Sequence, residues 1–283
     1  MEETINEEKN NAKEIKKEKK KFTILGISIW ELLAYFIIYS IAGYIIETLF
    51  ALVRYGVLES RQSFLYGPFC SIYGVGAIIM ILFLQYFRKN RITLFIGGFI
   101  IGSITEYLLS LIGELILHVK WWDYSNMPLN INGRICFYYS IFWGILAIFL
   151  MKAIHPRVRN LMAFILKKSS EKFTKMAIII ISAFLAVDCI LSGYAINLFT
   201  IRMIAENDLN VANKEIIYEM NDRLHESKLN SFLMNTLFND EKMIKTYPNL
   251  KVQQLDGTMV YFKDLLPDIK PYLFRFQEQD FYK

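Results

Sequence analysis

The apolar residues of this chain are gathered into five long runs separated by polar segments. The hydrocarbon core of a bilayer is about 30 Å thick and a helix rises about 1.5 Å per residue, so about 20 apolar residues are needed to cross it. Each run reaches that length. The pattern predicts an all-α polytopic membrane protein with about five transmembrane helices. We place these helices at residues 30–53, 67–87, 93–117, 135–154 and 176–201.

Two terminal regions of different composition flank the predicted spans. Residues 1–29 are predicted to be a polar, basic tail, rich in Glu, Lys and Asn over most of its length. Residues 202–283 carry 11 Lys and Arg and 13 Asp and Glu, so they are nearly neutral. Residues 208–237 have the pattern of an amphipathic helix, and Asp256-Gly257 lies between two strand-like segments, which predicts a hairpin. We therefore expect a small α+β C-terminal extension made of a helix and a hairpin.

The distribution of Lys and Arg predicts the orientation of the spans. The N-terminal tail, the turn after the second span and the loop after the fourth together carry 17 of these residues, whereas the other two loops carry 4. Positive residues collect on the cytoplasmic side of a membrane. The N-terminus is therefore predicted to be cytoplasmic and the C-terminal extension to be outside. The basic fourth loop, residues 152–175, is either a contact for a cytoplasmic partner or the positive-inside signal alone.

Composition and cysteine usage narrow the class of protein and its expected partners further. Charged residues make up 21%, below the quarter that is typical of soluble proteins. The basic residues that give the net charge of +5 flank the apolar runs, where anionic lipid attracts them. Nucleic acid is therefore not an expected partner. No CxxC pair is present, and we expect neither a metal nor another cofactor. Cys70 and Cys136 are predicted to lie near each other, as a disulfide or as two buried thiols.

Five carboxylates fall within predicted spans, and one of them, Glu31, lies at the inner end of the first span and is interpreted as interfacial. For the other four, which lie deeper, an unpaired charge is costly and a cavity or a partner is expected. Helical spacing places several of them in polar stripes, which predict a bundle around a hydrated interior. The alternative is a structural role, in which each carboxylate bonds to Tyr or Ser hydroxyls or to loop arginines. The stripes are Ser40, Gly43 and Glu47; Glu106, Ser110, Glu114 and His118; and Asp188 and Ser192.

The most specific hypothesis about these stripes concerns the roles of Glu106 and Glu114. They lie eight residues apart, so they are separated by about 12 Å along the helix and can line one cavity at two depths. Glu114 would lie near the mouth of the cavity, where it would pair with Arg61 or Arg134 or meet a cationic group. Glu106 would lie deeper, either in a proton-linked step or as a neutral group bonded to a neighbouring helix. Glu114 and His118 alone supply too few ligands for a metal site.

The second span, the third span and the two outward loops carry several distinctive motifs. They are Gly67-Pro68-Phe69-Cys70-Ser71-Ile72-Tyr73-Gly74, Glu106-Tyr107, Glu114, Trp122-Asp123-Tyr124-Ser125 and Asn132-Gly133-Arg134-Ile135-Cys136. Together these motifs resemble a bacterial membrane family labelled "putative ABC-transporter type IV" permease. The resemblance covers about residues 30–154 and departs at Ser71, where the family motif has proline, so it does not predict a helix kink at that position. It implies a transport permease in the cell membrane of Gram-positive-type bacteria, and it implies no catalytic residues.

These observations predict a transport permease with an outward-facing polar pocket. The chain has no GxxxxGK[ST] motif, so any ATPase would be a separate cytoplasmic chain. The expected partners are the lipid bilayer, that ATPase and a small polar or cationic substrate. The alternatives are a membrane-embedded enzyme, with Glu47 and Glu114 as acid and base on a lipid or cell-wall precursor, and a non-catalytic sensor or assembly factor. The predicted pocket residues are Glu47, Arg61, Tyr73, Glu106, Glu114, Trp122, Asp123, Asn132 and Arg134.

Overall fold

Long helices dominate the computed structural model, which describes residues 23–117, 120 and 122–276. Four helical stretches in this part of the chain are long and apolar enough to cross a membrane. Their exposed side chains are largely apolar, as in the stripe Ile96, Ile100 and Ile104, which is the reverse of a soluble surface helix. The four stretches are α1 (Ile29–Tyr55), α3 (Arg91–Leu117), the continuous pair α4 (Phe137–Phe149) and α5 (His155–Lys168), and α6 (Glu171–Glu206).

The second predicted span is shorter in the structure than the sequence pattern indicated. Helix α2 (Ser71–Leu84) has 14 residues and continues into the short 3₁₀ turn Gln85–Phe87. Its first residue is Ser71, so proline at that position would fit the first helical turn and would not kink the helix. Among residues 23–117, 120 and 122–276, four helical stretches meet the length requirement, and the number of five spans stays a prediction.

Helix α2 is short because the chain before it enters the bundle without helical structure. Residues 60–70, here called the inserted loop, place Phe64 in a buried cluster with Ile37 of α1 and Leu185 of α6. The Cys70 N–H donates to the Ser40 carbonyl at 2.9 Å. Ser40 and Leu185 lie near the midpoints of α1 and α6, which have 27 and 36 residues. The inserted loop therefore reaches the central level of the bundle.

Irregular backbone at this depth is tolerated only where its polar groups find protein or water partners. Asp188, at the middle of α6, accepts the Tyr66 N–H at 3.0 Å. Ser192, one turn later, accepts the Leu65 N–H at 2.8 Å and donates to Asp188 at 3.2 Å. This pair was predicted to form a stripe facing the interior. In the structure Asp188 holds the inserted loop.

The basic fourth loop is mostly helical, which the sequence analysis did not predict. Helix α4 passes into α5 through the π-helical turn Leu150–Ile154. Pro156 lies at the start of α5, and it has no N–H for the helical ladder. A π turn accommodates such a break without ending the helix. Helix α5 therefore extends α4 and carries the basic residues Lys167 and Lys168 in its last turn.

The C-terminal region folds around the end of α6. The predicted helix at 208–237 is two helices, and the predicted hairpin is confirmed by antiparallel pairing of Val252 with Val260. Phe199 of α6 packs edge-on against Phe262 with ring centroids 5.6 Å apart. The elements are α7 (Lys214–Glu226), α8 (Lys228–Asn235), α9 (Asp240–Thr246), β4 (Lys251–Gln253), β5 (Met259–Tyr261), α10 (Phe262–Leu265) and β6 (Tyr272–Arg275).

Contacts between loops divide the bundle into two ends. At one end, strands β1 (Thr23–Ile24) and β2 (Ile27–Ser28) form a hairpin before α1, and Leu25 accepts from Gln85 at 2.9 Å. Lys152 reaches the Lys89 carbonyl at 3.4 Å there. At the other end, β3 (Val57–Glu59) pairs with β6, and the Lys120 N–H donates to the Lys251 carbonyl at 3.3 Å. Loop one, which joins α1 to α2, and loop three, which joins α3 to α4, therefore lie at the same end as the C-terminal region.

We expect the first of these ends to face the cytoplasm, as the Lys and Arg distribution predicts. In a Cys189→Ser background, Asn126→Cys should react with an impermeant maleimide in intact cells, and Ser170→Cys should react only after permeabilisation. Both positions are exposed. Reaction of Ser170→Cys but not Asn126→Cys in intact cells would show the opposite orientation.

Candidate functional site

A cavity of about 580 Å³ lies between the helical bundle and the C-terminal region. The inserted loop and the first residues of α2 form one side, and α3, α4 and α6 form the others. Residues 246–250, between α9 and β4, close it from the C-terminal region. Five of the nine predicted pocket residues line this cavity. They are Glu47, Arg61, Tyr73, Glu106 and Trp122.

Glu106 is the most buried charged residue of the described lining, with 6% of its surface exposed. Its Oε1 accepts from the Tyr124 hydroxyl at 3.0 Å, and its Oε2 accepts from Trp143 Nε1 at 2.9 Å. Both carboxylate oxygens therefore bond to neutral donors. Within the described residues, no Lys, Arg or His lies within ion-pair distance of Glu106.

Glu47 lies on the face of α1 that meets α2, whereas the sequence spacing predicted only that it shares one face with Ser40 and Gly43. Its carboxylate accepts a hydrogen bond from the Tyr73 hydroxyl. Gly43 and Ser40 share this face: a Cβ on Gly43 would meet the Tyr73 ring, and Ser40 lies beside Gly74. The small residues let α2 approach closely, which brings Tyr73 to the carboxylate.

Arg61 lines the cavity but is paired with a different acid from the predicted Glu114. Its Nη2 lies 2.7 Å from Glu59 Oε1. Glu59 is 7% exposed and also accepts from Asn249 at 3.3 Å. The ion pair thus connects the inserted loop to the C-terminal segment that closes the cavity.

Loop three presents Tyr124 to Glu106 through bonds among its own residues. The Tyr124 N–H donates to the Gly133 carbonyl at 2.8 Å, and Trp122 Nε1 donates to the Arg134 carbonyl at 2.9 Å. Gly133 has a φ of 66°, and a Cβ there would lie 2.6 Å from Asp123 Oδ1. Glycine is therefore required at this position.

Asp123 and Tyr124 differ in their electrostatic surroundings. Burial raises the pKa of Asp123, but hydrogen bonds from the Ser125 hydroxyl at 2.6 Å and N–H at 3.1 Å lower it. The charges of Lys120 and Lys251 lower it further, so the pKa of Asp123 is below its usual value. The Tyr124 pKa is raised, first by burial and then by the Glu106 carboxylate beside it. Tyr124 therefore keeps its proton and stays a hydrogen-bond donor to Glu106.

Four predicted pocket residues do not line the cavity. Arg134 Nη1 lies 2.5 Å from Glu114 Oε2 and 3.4 Å from Ser110 Oγ. The Glu106–Ser110–Glu114 stripe is therefore split: its inner member lines the cavity and its outer member anchors loop three. His118 lies outside the described residues. The four residues are Glu114, Asp123, Asn132 and Arg134. Asn132 donates instead to the Tyr107 hydroxyl at 2.9 Å.

Sequence reasoning missed several residues that complete the cavity. Tyr124 belongs to a quoted motif, but nothing local indicated that it bonds to Glu106. Trp143 lies in an apolar run and could not be told from a lipid-facing aromatic. Tyr247 and Asn249 come from the C-terminal region, which carried no site signal. Only the packing of distant segments brings these residues together.

Two further predictions concern the pair Cys70 and Cys136 and a possible metal site. Cys70 and Cys136 are buried free thiols, so the disulfide alternative is not formed. In the described part of the chain, no three His, Cys, Asp or Glu side chains are grouped to hold a metal ion. Glu114 is paired with Arg134, so its use with His118 as a two-ligand site has no support.

A protein-family model described as "Putative ABC-transporter type IV" matches residues 34–193. This region contains the inserted loop, loop three and every cavity residue except those of the C-terminal part of α6 and of residues 246–250. Comparisons with curated proteins and with solved structures gave no match.

Proposed function

The chain belongs to the family described as "Putative ABC-transporter type IV", and from this premise we propose that it is the multi-pass permease of a transport system in the bacterial cell membrane. Substrate would bind in the cavity between the bundle and the C-terminal region. The end of the bundle that carries loops one and three would face outward. Energy would come from a separate cytoplasmic ATPase, because this chain has no P-loop motif.

The observation that carries this proposal is Glu106. A carboxylate at bilayer depth is expensive and marks a substrate path or a partner. Glu106 lies near the centre of the 27-residue α3, within a cavity of about 580 Å³. Its neutral hydrogen-bond donors hold the carboxylate in place without cancelling its charge.

A contact surface for the ATPase would be the basic helix α5 and the turn between α2 and α3. These segments lie at the end of the bundle opposite the cavity's closing segment, residues 246–250. Transport systems of this kind require coupling between the two ends, and α6 runs between them. A membrane-embedded enzyme is less well supported, because the proposed acid–base partner Glu114 is paired with Arg134 and does not line the cavity.

The test is replacement of the carboxylate without loss of volume. Cells that lack the gene should differ from wild-type cells in the distribution of a set of metabolites across the membrane, measured by untargeted mass spectrometry of cells and medium. Wild-type protein should restore that distribution, whereas Glu106→Gln should restore less than about a tenth of it, because the amide cannot ionise.

The matched control is Glu215→Gln, an exposed position in α7 outside the cavity. It should restore the wild-type distribution. Full restoration by Glu106→Gln at wild-type protein level would show that ionisation of this carboxylate is not used. An unchanged metabolite distribution in cells without the gene would contradict a transport role.

A further inference from the structure

The charged residues that line the cavity include more carboxylates than basic groups. The described lining contains three charged residues, Glu47, Arg61 and Glu106. Arg61 already has Glu59 as a counter-charge at 2.7 Å. Glu47 and Glu106 bond to Tyr and Trp groups, which are neutral donors. A ligand that enters the cavity therefore meets two carboxylates and one guanidinium that is already paired.

Aromatic rings form much of the wall around these carboxylates. Tyr124 and Tyr139 are stacked, with ring centroids 4.6 Å apart. Aromatic faces attract cations, and the attraction strengthens when water is excluded. They also accept apolar groups, which a small inorganic cation does not offer. The described lining contains eight aromatic residues, among them Tyr73, Tyr124 and Trp143, which donate to the two carboxylates.

Most of the groups that would favour an anion already have partners. The N-terminus of α2 opens at the cavity, and the positive end of a helix dipole attracts anions. However, the Cys70 N–H donates to the Ser40 carbonyl at 2.9 Å, and the Ser71 N–H donates to Ser63 Oγ at 3.0 Å. The charge of Arg61 is paired with Glu59, and its Nε has no hydrogen-bond partner among the described residues. An anion would therefore find one free N–H of a paired guanidinium in a cavity that also holds two carboxylates.

We infer that the cavity binds a lipophilic organic cation, with Glu106 as its counter-charge and the aromatic rings as its walls. This inference rests on the proposed function, since it names the substrate class of the same cavity. A single positive charge attached to apolar groups satisfies both features of the lining. Glu106, buried and bonded only to neutral donors among the described residues, supplies the larger part of the charge recognition.

The probe is tetraphenylphosphonium, and its control is tetraphenylborate, which has nearly the same shape and the opposite charge. The full chain is purified in detergent, and the thermal unfolding midpoint is followed against probe concentration, because a ligand of the folded state raises it. Tetraphenylphosphonium should raise the midpoint of the wild type, and tetraphenylborate should not. Glu106→Gln should weaken the apparent affinity for tetraphenylphosphonium by at least about tenfold, while Glu215→Gln should leave it unchanged.

Three results would overturn the inference: no shift with tetraphenylphosphonium, an equal shift with tetraphenylborate, or an affinity that Glu106→Gln does not change. If Glu106→Gln does not elute as a single species, Glu47→Gln replaces it. This variant should also bind tetraphenylphosphonium more weakly than the wild type. Loss of metabolite redistribution in Glu106→Gln cells, together with failure of tetraphenylphosphonium to bind, would reject the cation class and leave the transport proposal standing.

The cation could belong to a free amine or to a lipid headgroup, and both share this chemistry. Nanodiscs of phosphatidylglycerol alone and nanodiscs with added phosphatidylethanolamine distinguish them. A weaker affinity for tetraphenylphosphonium in the second would support binding of the lipid ammonium group. The same affinity in both would support a free organic cation.

Discussion

Gly98→Ala is expected to lower the unfolding free energy by about 2–3 kcal/mol. Gly98 lies where α3 meets α4, and a Cβ at this position would overlap the Ala147 Cβ and lie 2.8 Å from the Trp143 carbonyl oxygen. Backbone cannot move away from such a contact without separating the helices. Because Trp143 also donates to Glu106, the same change should disturb the cavity. Unfolding in mixed detergent micelles with increasing SDS measures the loss.

Gly76→Ala is the matched control for this prediction. Gly76 is also a helical glycine within the bundle, but a Cβ there would meet nothing within 4 Å. Alanine at such a site removes chain entropy from the unfolded state and should stabilise the protein by about 0.5–1 kcal/mol. Equal stability of Gly98→Ala and Gly76→Ala would contradict the close packing of α3 on α4.

Asp188→Ala is expected to lower the unfolding free energy by about 1–3 kcal/mol. The substitution leaves the part-buried Tyr66 N–H without the acceptor that Asp188, itself 1% exposed, provides at the middle of α6. Ser192 also loses the acceptor of its own hydroxyl proton. The inserted loop should therefore detach from α6, which limited proteolysis between residues 60 and 70 should reveal as faster cleavage.

Asp188→Asn separates hydrogen bonding from charge, because its amide oxygen can still accept the Tyr66 N–H. We expect it to retain stability to within about 1 kcal/mol of wild type. Ser182→Ala is a second control in the same helix, since the Ser182 hydroxyl has no partner among the described residues. A loss in Asp188→Asn as large as that in Asp188→Ala would mean that the negative charge itself is needed.

The helical membrane class could be predicted from the sequence because its cause is local. An apolar run of about 20 residues is most stable as a helix that crosses the lipid, and the part of the chain that the structure describes contains four helices of this kind. The 3.6-residue period similarly placed Ser40, Gly43 and Glu47 on one face, where they meet α2. The Asp256-Gly257 turn specified the β4–β5 hairpin, since its flanking residues pair directly.

The inserted loop could not be predicted, because its partners are far away in the chain. Leu65 and Tyr66 bond to Ser192 and Asp188, which lie more than 120 residues later. A run of apolar residues before Ser71 reads as the start of a span, and nothing local shows that the backbone there finds acceptors on another helix. The length of α2 therefore depends on tertiary contacts.

The identity of Glu106 as a candidate site residue was available from the sequence, whereas its surroundings were not. A carboxylate in an apolar run is a local signal, and its energetic cost in lipid demands a partner. Which partner it finds depends on how α3 packs against α4 and on the bonds that position loop three. The pairing of Glu114 with Arg134 confirms one of the two partners that the sequence analysis named, and tertiary structure decided between Arg134 and Arg61. Tertiary structure alone selected Tyr124 and Trp143 for Glu106. Hydrogen bonds require an approach to about 3 Å, and helical periodicity does not fix how distant segments align with one another.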